Sequence, residues 1–413
     1  MTQRRQFIGG LLGAAAGTAL TTNSISASSA TRKKVAAIVT EYRHYSHADV
    51  IVGRMLNGYT PNNVRVEPRT EIVSMYTDQV PANDLSRAAA AKYGFKIYPT
   101  VAEALTLGGD KLAVDAVLLI GEHGNYPVNE KGQKLYPRHE FFQQIVQVFR
   151  RSGHGVPVFS DKHLSYSWPK AKERYDTARA LKFPLMAGSS MPVTLRLPEL
   201  SLPLGTEIEH AMSVGYIPNE ASGLESYGLH ALEALQCMIE RRRGAETGIA
   251  AVETLSGEAV WRWRDSTQGR WSAPLLEAAL ACFKSLKPGP LEQQVKNGSL
   301  FRLEYREGFQ AAVYMLGQHI DDVVFAAQIK GQARPVATLY DTSVRELPHF
   351  DGLVDCIEQF FMTGKPLYPV ERTLLTTGAL AYLLEAKQQG RRIETPDLNV
   401  RYRAPHRDHH QHA

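Results

Sequence analysis

Val114-Asp115-Ala116-Val117-Leu118-Leu119-Ile120 is an almost unbroken apolar run, and Gly121-Glu122-His123-Gly124-Asn125-Tyr126 follows it directly. A short run without alternation reads as a strand buried on both faces, as in the middle of a parallel sheet. Similar strand-like segments lie at 35–39, 71–76 and 156–159. Helical patterns follow each strand in turn, at 48–56, 85–93, 141–150 and 170–181. Strand and helix alternating at this spacing predict a Rossmann-like, doubly wound parallel sheet over residues 31–190.

Beyond residue 190 the pattern changes. One long helix is expected over 224–242, strands over 301–305, 311–316 and 323–329, a helix over 373–387 and an extended stretch over 396–402. This predicts an α+β domain with a large open sheet, residues 191–400. Residues 401–413, with His406, His409, His410 and His412, read as a disordered tail whose histidines catch metal ions only adventitiously.

The first residues form a separate unit. Arg4-Arg5-Gln6-Phe7-Ile8, a short apolar stretch to Leu20 and then small residues resemble a twin-arginine signal peptide, residues 1–30. That resemblance implies export in the folded state, to the periplasm or beyond. The whole chain has 413 residues, with 47 basic against 42 acidic, a net +5 without a basic stripe, which argues against nucleic acid as a partner. No apolar run after the leader is long enough to span a bilayer. Cys237, Cys282 and Cys356 are widely spaced and odd in number. They read as small buried hydrophobes, with one disulfide of unspecified pairing as the alternative.

Several stretches together resemble the Gfo/Idh/MocA oxidoreductases. They are Tyr76-Thr77-Asp78, Lys92-Tyr93-Gly94, Tyr98-Pro99-Thr100, Val114-Asp115-Ala116-Val117, Ser160-Asp161-Lys162-His163, Gly228-Leu229-His230, Glu304-Tyr305-Arg306-Glu307-Gly308 and Thr395-Pro396-Asp397. The resemblance spans nearly all of the mature chain. It implies a sugar or sugar derivative as substrate, Lys162 and His230 as the acid–base pair, and dimers or tetramers formed through the second-domain sheet.

The chain departs from that family at its first loop. A dinucleotide fingerprint needs glycines after the first strand, for the turn, for pyrophosphate approach and for helix packing. Here the loop is Thr40-Glu41-Tyr42-Arg43-His44-Tyr45-Ser46-His47, with Thr40, Tyr42 and Tyr45 at or near the glycine positions. Asp78 stands where an acidic residue would hold the adenosine ribose, so Asp78 and Tyr42 are the candidate cofactor contacts.

The loops at the strand ends are rich in titratable groups. Histidines and carboxylates from separate loops make a divalent-metal set conceivable: His47, Glu122, His123, Asp161 and His163. Arg43, Asn125, Tyr126 and Trp168 are the candidate substrate contacts; Trp261 and Trp263 would stack on sugars or pack a core. Glu240-Arg241-Arg242-Arg243 reads as a solvated helix end.

Three functions remain open. The first is acid–base chemistry on a sugar (elimination, isomerisation or hydrolysis), with or without a metal. The second is an NAD(P)-dependent sugar oxidoreductase holding its cofactor tightly. The third is carbohydrate binding without catalysis.

Overall fold

The structure is a computed structural model that describes residues 32–284, 286–342, 344 and 346–412. The twin-arginine reading of residues 1–30 falls outside the described residues.

The apolar runs form the strands expected of them. β1 (Lys33–Val39), β2 (Thr70–Thr77), β3 (Lys96–Ile97), β4 (Ala116–Ile120), β5 (Val158–Asp161) and β6 (Leu185–Gly188) make one parallel sheet in the order β3-β2-β1-β4-β5-β6. Val35–Val39 and all five residues of β4 are buried because helices cover both faces. Val39 is in register with both Thr77 and Ile120, so the loops leaving β1, β2 and β4 emerge at one edge. Strand order reverses between β1 and β4, the place where open α/β sheets bind ligands.

The helices of this layer are α1 (His47–Asn57), α2 (Ser86–Tyr93), α3 (Val101–Thr106), α4 (Arg138–Ser152) and α5 (Trp168–Ala180). Ser46 caps α1 by accepting from the Asp49 amide. The second layer is built on β7 (Arg196–Leu197), β8 (Ile208–Gly215), β9 (Ile249–Ser256), β10 (Ser299–Tyr305), β11 (Gln310–Met315), β12 (Val323–Ile329), β13 (Val336–Tyr340) and β14 (Ile393–Glu394). These strands form one mixed sheet, ordered β14-β9-β10-β11-β8-β12-β13-β7. α6 (Gly223–Ile239) packs on this sheet. The other face buries Met212, Val214, Leu300 and Tyr314 against α7 (Glu258–Asp265) and α8 (Ser272–Leu280), with the short α9 (Leu291–Gln294) nearby.

Two late helices return to the first sheet, so that layer is not confined to residues before 190. α10 (His349–Thr363) buries Leu353, Val354, Ile357 and Phe360 against the β1 face that also packs α1. Each such aliphatic side chain contributes about 1.5–3 kcal/mol by leaving water. Glu358 of α10 is fully buried, and it accepts from the Thr70 amide (2.9 Å), the Thr70 hydroxyl (2.6 Å) and Tyr59 Oη (2.9 Å). A carboxylate satisfied this way ties α10 to the start of β2. α11 (Val370–Gln389) packs on α5, α6 and β9 and joins the two layers.

Two expectations change, and the reading of the cysteines as small apolar residues without a disulfide stands. The segment 240–243 is not a solvated end: Glu240, Arg241 and Arg242 are buried, and Arg372 grips Glu240 at 2.6 and 2.9 Å. Residues 401–412 are not a loose tail, since Asp408 pairs with Arg196 at 2.6 Å and His410 is buried. All three cysteines are free, Cys237 and Cys356 in the interior and Cys282 half-buried.

Candidate active site

The edge of the first sheet gathers the groups that the sequence scatters. β5 ends in Asp161, and Lys162 follows with φ +67°, a left-handed backbone that costs a non-glycine residue about 1–3 kcal/mol. The Lys162 amide donates to the Gly188 carbonyl at 3.1 Å, which holds the turn in place. Gly188 itself has φ +133°, and a Cβ there would meet Glu233 Oε1 at 3.0 Å.

This turn aims the Lys162 ammonium at α6. Its Nζ lies 2.6 Å from His230 Nε2 and 3.9 Å from Glu122 Oε1. Behind His230, its Nδ1 is 3.2 Å from Ser189 Oγ, and that hydroxyl donates to Glu233 Oε2 at 2.5 Å. The Ser189 amide also donates to Glu233 Oε1 at 2.9 Å. Burial, reinforced by the Lys162 charge, pushes the His230 imidazole down to about 4, so it is neutral at pH 7. The chain of partners then fixes one tautomer: Nδ1–H faces Ser189 and Glu233, and Nε2 accepts from Lys162.

Glu122 closes the other side. Arg138, the first residue of α4, is almost fully buried and ion-pairs with Glu122. Burial alone would raise the Glu122 carboxyl, but Lys162 and Arg138 outweigh it and hold the carboxyl well below the usual range. Gly121 permits this approach, since a Cβ there would sit 2.5 Å from Arg138 Cγ. His123, at φ +70°, is pushed down to about 3 by burial and by His47. His47 Nδ1 lies 2.7 Å from Asp161 Oδ2.

A cleft of about 530 Å³ opens over these groups, bounded by Arg43, His47, His123, Asn125, Lys162 and Tyr227. A second lobe of about 250 Å³ continues past His230 to Met191, His349 and Phe350. A larger recess of about 910 Å³ beside Pro218, Lys287 and His319 lies away from Lys162 and His230. Size alone does not locate the chemistry.

The expected residues divide. Lys162, His230, His47, Glu122, His123, Arg43 and Asn125 meet around the cleft. Trp168 does not: it is 8% exposed in the core, packed on Gly378 of α11. Trp261 and Trp263 are core residues as well. His163 turns away, with Nε2 2.8 Å from Glu225 and 3.3 Å from Arg138. The five proposed metal ligands do not converge: among the described residues, the only trio of His, Cys, Asp or Glu ligand atoms within 4.8 Å of one another is Glu199, His410 and His412. The carboxylates instead take the Lys, Arg and His partners described above.

Ser189, Glu233, Arg138 and His349 were not singled out from sequence. Glu233 was the accessible one, three residues after His230 and so on the same helical face.

The residues at the strand ends do not fit a nicotinamide dinucleotide in the usual groove. Thr40 Oγ1 donates to the Glu122 carbonyl at 2.5 Å, and Glu41 is buried against Arg43 Nε at 2.6 Å. Tyr42 is a core side chain, 3% exposed, and no cofactor contact. Asp49 adds a carboxylate to the first turn of α1, where a pyrophosphate would need bare amides. Asp78 is already engaged on both oxygens, by Tyr76 (2.8 Å) and Tyr126 (2.6 Å). Gln79 binds the Asn125 backbone at both amide (2.8 Å) and carbonyl (3.0 Å). The excursion after β4 is thereby latched over the end of β2.

No family model matches the sequence, and no curated protein matches it. Among solved structures, the chain is similar to GenD2 from gentamicin A biosynthesis in complex with NAD, with TM-score 0.57 and 13% identity over 93% of this chain and 99% of that one. It is also similar to myo-inositol 2-dehydrogenase from Lactobacillus plantarum, with TM-score 0.53 and 12% identity over 88% and 99%. Scyllo-inositol dehydrogenase from Lactobacillus casei gives 0.53 and 13% over 88% and 98%. The chain has the two-layer fold of these Gfo/Idh/MocA-type dehydrogenases.

Proposed function

We propose that this protein is an enzyme that moves a proton on a hydroxyl of a sugar or sugar derivative, with Lys162 and His230 as the acid–base pair. The observation that carries the reading is the 2.6 Å contact between Lys162 Nζ and a buried, neutral His230 at the floor of a polar cleft. A substrate hydroxyl over Lys162 gives its proton to Nζ as a Nζ proton passes to His230 Nε2. Glu233 and Ser189 stabilise the imidazolium so formed, and Glu122 keeps Lys162 anchored. Arg43 and Asn125 supply hydrogen bonds for the remaining hydroxyls.

Of the outcomes open to this pair, NAD(P)-dependent oxidation of the carbinol is the one the solved neighbours support, because they are dehydrogenases. It requires the Tyr126–Asp78 latch to give way or the dinucleotide to adopt another pose. Elimination, isomerisation or hydrolysis rests on the filled groove alone. Export by the twin-arginine route belongs to the same proposal and suits an enzyme that must fold around a cofactor first.

The deciding experiment is release of bound small molecules by denaturing purified, untagged protein, followed by assay for nicotinamide and by turnover tests on polyols. Stoichiometric nicotinamide selects oxidation. Its absence, together with failure to bind added NAD(P), selects proton transfer alone. Unchanged turnover in Lys162→Ala and His230→Ala would overturn both.

A further inference from the structure

Residues 405–412 run across the molecule on defined contacts. Arg241 Nη1 donates to the Pro405 carbonyl at 2.9 Å, and Arg196 grips Asp408 through two nitrogens at 2.6 and 3.3 Å. Gln411 binds the Val193 carbonyl through its amide (3.0 Å) and the Pro348 carbonyl through Nε2 (2.9 Å). The His412 amide donates to Asn62 Oδ1 at 2.8 Å. The segment therefore bridges the turn at residues 191–193 and the start of α10. Met191, His349 and Phe350 in those places line the second lobe of the cleft.

Within this segment three ligand atoms converge. Glu199 Oε1 lies 2.9 Å from His412 Nδ1 and 3.8 Å from His410 Nε2, and all three atoms fall within 4.8 Å of one another. The His410 side chain is only 1% exposed, yet its Nε2 has no hydrogen-bond partner. Burying an imidazole nitrogen unpaired is costly. Its Nδ1 lies 3.2 Å from Asp408 Oδ1 but outside hydrogen-bond geometry, so neither ring nitrogen of this buried histidine is paired. Ligand atoms about 2.0–2.2 Å from a tetrahedral zinc ion stand roughly 3.3–3.6 Å apart. The observed 2.9 and 3.8 Å bracket that spacing, and no pair of the three atoms is more than 4.8 Å apart.

We propose that Glu199, His410 and His412 bind one divalent transition-metal ion of the zinc class, with water in the fourth position, and that the ion clasps residues 405–412 onto the wall of the cleft. Two imidazoles and one carboxylate suit zinc better than the oxygen-seeking magnesium or calcium. Glu199 and His412 are both half-exposed, which leaves an entry path and room for the water.

The test uses untagged full-length protein, stripped with chelator and titrated with Zn²⁺ alone by calorimetry, with metal analysis after desalting. One ion per chain is expected, with binding weakened roughly tenfold or more in Glu199→Ala and in His412→Ala. Both replacements are at half-exposed positions, and circular dichroism checks that each variant folds. Zinc should also slow tryptic cleavage after Arg403 and Arg407 in the wild type but not in the variants. An adventitious ion only, meaning sub-stoichiometric binding or equal binding in both variants, overturns the site. Stoichiometric zinc without protection from trypsin overturns the clasp.

Discussion

Tyr126 Oη donates to one oxygen of Asp78 at 2.6 Å while Tyr76 Oη donates to the other at 2.8 Å. An aspartate at the end of the second strand is thus spoken for by tyrosines from its own strand and from the loop after β4. Replacing Tyr126 by Phe removes one charge-assisted bond and loosens the latch. Affinity for added NAD(P), read by fluorescence titration, should rise severalfold over wild type. An unchanged affinity would mean that the latch does not guard the groove.

Lys162→Ala and His230→Ala should each lower turnover by about 10²–10⁴-fold, the usual worth of a positioned acid or base. Glu233→Gln keeps the shape and removes the charge behind His230. It should lower kcat more than it raises KM, and it should move the acid limb of the pH–rate profile. A variant that changes KM alone would place Glu233 outside the proton path.

Acid should unfold this protein early. Burial holds His230 at about 4 and His123 and His349 at about 3, below the ordinary 6.5. Between those limits the unfolded chain binds more protons than the folded one. Stability is therefore complete above pH 6.5, and each histidine removes up to about 1.4 kcal/mol per pH unit as the pH falls. The loss levels off below about 3. Urea midpoints at pH 7.5, 6 and 5 should fall in that order; a flat series would contradict the neutral, buried histidines.

Gly121→Ala should cost about 1–3 kcal/mol by overpacking, because the added carbon would lie 2.5 Å from Arg138 Cγ. Thermal unfolding measures this directly. Arg138→Met should cost more, about 3–5 kcal/mol, since it strands the buried Glu122 carboxylate without its partner.

The apolar runs at 35–39 and 114–120 carried the first sheet, because buried central strands leave a mark that needs no partner to be read. That Lys162 and His230 would come together was legible only through family resemblance. Trp168 misled, since an aromatic after a polar loop looks the same in sequence whether it faces a cleft or, as here, packs on Gly378. The segment 240–243 misled in the same way: three arginines and a glutamate look solvated until Arg372, some 130 positions later, arrives to pair with Glu240.

The sequence by itself determined the alternation of elements, the missing glycines after β1 and the gathering of titratable residues at strand ends. All of these are local properties, set by side-chain type and spacing. Only the tertiary structure decided that His47 pairs with Asp161, that Tyr126 spans to Asp78, and that Glu199 meets His410 and His412. Such contacts join residues 48 to 213 positions apart. Charge pairing and burial choose among partners only after the sheets have brought them within reach.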